Sequence, residues 1–139
     1  MFIFEKYLNL HNSIEVEKIY LLLPFIFDDK VMQKISRLHN IPNLIDLVIK
    51  DSKLFMRQRK LYYEYFILTT NTLQLCIENE LIELKNGRII LKKNSNLFDN
   101  FDLSESTNLK KTINNLIKIS NILKKEESYE LYHALRIEV

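Results

Sequence analysis

The sequence predicts a mainly α-helical, winged-helix-like small domain with one β-hairpin. Three observations point there. The 139 residues include 1 Gly and 2 Pro, too few turn formers for a strand-rich fold. The single glycine follows Asn86, between Leu81-Ile82-Glu83-Leu84 and Arg88-Ile89-Ile90-Leu91. Asn-Gly between two apolar runs is the preferred type I′ hairpin turn, because both central residues need positive φ. Helical patterns lead directly into that hairpin, the order in which a winged helix places its recognition helix and its wing.

The elements follow from the apolar spacing. Residues 14–27 read as a helix with a very apolar end at Pro24, buried on most sides. Asp28-Asp29 opens a second helix, its acids at the end the macrodipole favours, with Val31, Met32, Ile35 and Leu38 as its stripe. Pro42 suits the first position of a third helix, with Asn40 as its cap; Leu44, Ile45, Leu47, Val48 and Ile49 mark its core face. A longer helix runs from about Lys53 to Phe66. Thr69-Thr70 reads as the hydroxyl cap of a separate helix over 70–79, with Leu73, Cys76 and Ile77 facing the core. The hairpin, as a wing, covers about 81–92. A polar loop leads to a C-terminal helix over about 108–125, striped by Leu109, Ile113, Leu116, Ile117, Ile119 and Leu123, and a short helical tail at 129–135.

Length suits one domain over residues 1–139, and 47% hydrophobic residues supply a core. One glycine cannot write a phosphate loop or a dinucleotide fingerprint. The lone Cys76 fits a reducing compartment. The N-terminus lacks a basic stretch ahead of its apolar residues, and no apolar run approaches the ~20 residues that cross a bilayer. A cytoplasmic protein with no membrane contact is expected. His11, His39 and His133 show no metal-ligand spacing, and Cys76 lies on an apolar helix face without a base beside it. No catalytic, metal-binding or cofactor-binding residue is expected, and no cofactor.

A net charge of +2 is too balanced to imply nucleic acid by itself. The polar positions of 70–80 are Asn71, Thr72, Gln74, Glu78, Asn79 and Glu80, without a cation to meet phosphates. The notable cluster is Lys50, Lys53, Arg57, Arg59 and Lys60. With Lys53, Arg57 and Lys60 about one turn apart, it reads as a stripe on one helix face. Such a stripe is either a contact for DNA backbone or an acidic partner surface, or an ordinary solvated face. Among the aromatics, Tyr62, Tyr63, Phe98 and Phe101 are candidate anchors for a protein partner.

The segment Ile19-Tyr20-Leu21-Leu22-Leu23-Pro24-Phe25-Ile26-Phe27, the block Thr70 to Leu84 with its Gly87-Arg88-Ile89-Ile90-Leu91 return, and the ending Leu131-Tyr132-His133-Ala134-Leu135-Arg136-Ile137 together resemble a known family. It is the middle component of bacterial three-component ABC-ATPase conflict systems, the group that includes Lamassu-type anti-phage defence. In that ending the family has a glycine after the leucine and a final proline, both absent here. The resemblance implies an adaptor or regulatory subunit beside an SMC/Rad50-like ABC ATPase and an effector, often a nuclease, with any DNA contact made through the complex. It brings no catalytic residues. The alternative is a winged-helix DNA-binding transcriptional regulator, supported by the cluster at 50–60 and by Lys92-Lys93.

Overall fold

The structure, a computed structural model, describes residues 13–40, 43–92 and 107–138, with side chains from 110 onward in the last stretch. Within these, β1 (Ser13–Glu15) leads into α1 (Val16–Ile26), α2 (Asp29–Ser36), α3 (Leu44–Lys50) and the long α4 (Gln58–Glu78). The hairpin β2 (Ile82–Lys85) and β3 (Arg88–Leu91) follows, then α5 (Thr107–Lys124) and α6 (Ser128–Ala134). The described residues are therefore mostly helical with one small antiparallel sheet, ordered β1-β3-β2.

The hairpin forms as predicted. Asn86 and Gly87 adopt φ of 53° and 71°, and Lys85 pairs with Arg88 across a two-residue turn. Leu81 and Lys92 extend the ladder by one bond. The sheet has a third strand that the sequence did not predict. Ser13, Ile14 and Glu15 pair with Ile90, Ile89 and Arg88, so the helix expected over 14–27 begins at Val16. Three residues are too few to show a period of two. Ile14, Ile82 and Ile89 are buried and face the helices.

α1 is the centre of the core. Ile19, Leu21, Leu22, Leu23 and Phe25 are buried, which explains an apolar run with almost no polar face. Asp28 caps α2 by accepting from the Val31 amide at 3.3 Å. At the other end of α2, Lys118 Nζ on α5 donates to the Ser36 carbonyl at 2.8 Å, a cation where the macrodipole is negative. α5 buries Leu116, Ile119, Ile122 and Leu123; Ile117, expected inside, is exposed. α6 occurs as predicted and seals the core with Leu131 and Tyr132.

Other helix boundaries also differ from expectation, and the helix expected from Lys53 begins at Gln58. α3 is capped by Asn43, whose Oδ1 accepts from the Ile45 amide at 2.9 Å, and not by Asn40; Pro42 lies outside the described residues. Thr69-Thr70 does not start a helix, because α4 runs unbroken through it. The Thr70 hydroxyl donates back to the Phe66 carbonyl at 2.9 Å, and Thr72 does the same to Leu68 at 2.8 Å. A hydroxyl that caps a helix start can equally bond one turn back inside a helix. A separate recognition helix is thus absent, although a helix still runs directly into the hairpin.

Candidate partner-binding surface

The predicted cations do not share one helix face. Lys50 ends α3. Residues 51–57 form successive tight turns, with amides of Leu54, Phe55 and Met56 bonded three residues back at 3.1, 3.3 and 3.4 Å. Lys53 lies in those turns, Arg57 is the residue before α4, and of the five only Arg59 and Lys60 lie in α4. The five are exposed and follow one another along the chain corner where α3 gives way, through the tight turns, to α4. Lys60 pairs with Glu64 at 3.7 Å, an exposed ion pair of little energetic weight.

Beside this corner lies a groove of about 1010 Å³. Its apolar lining comes from Ile45, Val48 and Ile49 of α3, Phe55 and Met56 of the turns, and Tyr129 of α6. Arg59, Arg136, His133 and Glu130 add the polar part. Ile49, Met56 and Tyr129 are 74%, 73% and 73% exposed, the most exposed large apolar side chains among the described residues. One such residue is ordinary on a surface, but three converging on one groove are a patch.

Both walls are firmly held. Glu126, just after α5, reaches the Ile45 amide with Oε1 at 3.4 Å, reinforcing the Asn43 cap of α3. Burial raises the pKa of its carboxyl above the ordinary value, against the lowering effect of that amide bond. Tyr132 of α6 donates to the Glu17 carbonyl at 2.6 Å. The α6 terminus closes with Ile137 bonded to the Tyr132 carbonyl at 2.9 Å and Arg136 to that of His133 at 3.1 Å. This is a Schellman motif, with Arg136 at a φ of 58°.

Over residues 2–139 the chain matches Middle Component 3 of the ABC-three component (ABC-3C) systems. It belongs to that family. No curated protein and no solved structure matches it. A middle component of this kind works in a multi-component system with an ABC ATPase.

The aromatic anchors divide in this middle component. Tyr62 is buried and so offers no surface anchor. It packs edge-on against Tyr132 and Tyr63, with ring centroids 5.5 and 5.4 Å away, and burial raises its pKa. Tyr63 is half exposed, but its hydroxyl donates to the Glu138 carbonyl at 2.6 Å, so it staples the C-terminal segment to α4. Phe98 and Phe101 lie outside the described residues. Sequence reasoning missed Ile49, Met56, Tyr129 and Arg136. Ile49, expected on the core face of α3, is exposed instead, since α3 is apolar on several sides and periodicity does not say which side meets the core. Among the described residues no group of three His, Cys, Asp or Glu side chains is placed to hold a metal ion. No described helix is long and apolar enough to cross a membrane.

Proposed function

We propose that this middle component is a non-catalytic adaptor in a Lamassu-type anti-phage defence complex. It would join an SMC-like ABC ATPase to an effector subunit, with a nuclease as the effector. The observation that carries the reading is an apolar groove, left uncovered by the described residues, beside a cationic corner on a chain whose family is one of three components. Exposed apolar side chains in a pre-formed groove are what a protein partner covers.

Regulation of transcription by DNA binding has less support. Beyond Arg59 and Lys60 in its first turn, the outward side chains of α4 include Glu64, Ile67, Leu68 and Leu75, and Gln74 is engaged with Glu78 at 3.0 Å. Phosphates would meet acids and apolar groups there. Co-expression with the neighbouring genes of its operon and purification through a tag on this chain tests the proposal. A stable complex containing the ATPase, with weak DNA binding by the isolated chain, is expected. Tight duplex binding by the isolated chain, with a steep salt slope and a sequence preference, would count decisively for the regulator instead.

A further inference from the structure

We propose that the groove between α3 and α6 is the docking site for an acidic amphipathic helix of a partner subunit; this rests on the adaptor reading and names the chemistry of the contact. The groove offers three exposed apolar side chains, Ile49, Met56 and Tyr129, on walls built from α3, α6 and the tight turns before α4. Among the described residues no sheet edge lines it to add a strand. A helix laid in such a groove presents apolar anchors at spacings of three and four residues.

The charge around the groove selects the partner. Arg59 and Arg136 line it, and Lys53 and Arg57 stand exposed at the adjoining corner. The acid in the lining is Glu130, whose Oε1 accepts from the Tyr129 hydroxyl at 3.3 Å. An incoming helix flanked by Asp and Glu would meet complementary potential, which speeds encounter and fixes its direction. Nucleic acid would leave the apolar floor uncovered. A second copy could offer its own α4, where Ile67, Leu68 and Leu75 are exposed near Glu64 and Glu78. That contact joins two different faces of one chain, so it tends to propagate rather than close. A different subunit is the simpler occupant.

The test uses the complex co-purified from the operon. Met56→Glu and Arg59→Glu are both at exposed positions, and each is expected to keep the far-UV circular dichroism and melting temperature of the parent. Each should weaken association by about tenfold or more, as central interface contacts do, while Ile67→Glu on α4 stays within about twofold. A photo-crosslinking side chain in place of Tyr129 should attach to a partner peptide with acidic residues and helically spaced apolar ones. Crosslinking to a second copy, or to residues 1–12 or 93–106 of the same chain, overturns the proposal. So does association within about twofold of the parent for both groove variants, judged against the same interface scale. Either result leaves the adaptor reading standing. Failure of the unaltered chain to enter any complex removes both.

Discussion

Gln58 joins three helix ends with one side chain. Its Nε2 donates to the Pro24 carbonyl at the end of α1, 3.1 Å away, and to Asp28 Oδ2 at the start of α2, 3.2 Å away. Both Gln58 and Asp28 are buried. Gln58→Leu would leave the Asp28 carboxylate with one fewer donor in an apolar setting and is expected to cost about 2–3 kcal/mol, read from urea unfolding. The Oε1 of Gln58 and the buried hydroxyl of Thr69 have no hydrogen-bond partner among the described residues. Thr69→Val keeps the shape and should be neutral or stabilising by up to about 1 kcal/mol. Glu126 sets a pH dependence. Its carboxyl pKa is raised in the fold, so its contribution is fully present below the unfolded value, about 4.3. That contribution is lost as pH rises through the folded value. Melting temperatures compared between the parent and Glu126→Gln over about pH 4 to 7 should diverge in that sense, with the glutamine variant flatter. None of these roles was legible in the sequence, since each depends on which distant backbone groups the fold brings near.

At the level of elements, turns and caps with a conformational demand were the most legible. Asn86-Gly87 announced the hairpin because few residues tolerate that backbone. Gly87→Ala meets no atom within 4 Å, so its cost is the positive φ alone, about 1 kcal/mol. The two helix ends that use the same geometry without glycine were invisible. Glu80 and Arg136 have φ of 57° and 58°, and each closes a Schellman motif, at Leu81 bonded to Cys76 and at Ile137 bonded to Tyr132. Arg136 stands where the resembling family ending has its glycine. Arg136→Gly is therefore expected to stabilise the chain by about 1 kcal/mol while weakening its complex, since a guanidinium leaves the groove. A thermal melt and a pull-down on the same variant check both halves. The Thr69-Thr70 signal misled because hydroxyl pattern alone does not separate a cap from a back-bonded helix interior. The cations at 50–60 were legible as a cluster, but the tight turns at 51–57 determine its shape and carry no strong local pattern.

For the molecule as a whole, the helical class, the hairpin and the family were all readable, because they rest on composition, period and motif order. The groove was not, since it is the space left between elements distant in sequence. Its C-terminal wall is also part of the core: Leu131, Tyr132, Leu135 and Ile137 are all buried. Removing residues 128–139 would forfeit about 1.5–3 kcal/mol for each such side chain, against a typical total of about 5–15 kcal/mol. That truncation is expected to abolish cooperative unfolding, as followed by circular dichroism on heating.

The Tyr63 staple to Glu138 and the late position of α6 have a consequence for biosynthesis. A nascent chain emerges N-terminus first, so α3 and the basic corner leave the ribosome well before Tyr129 and Arg136 do. The groove comes into being only after residues 128–138 have emerged and folded back. A translation product interrupted before them would therefore display cations without the cleft.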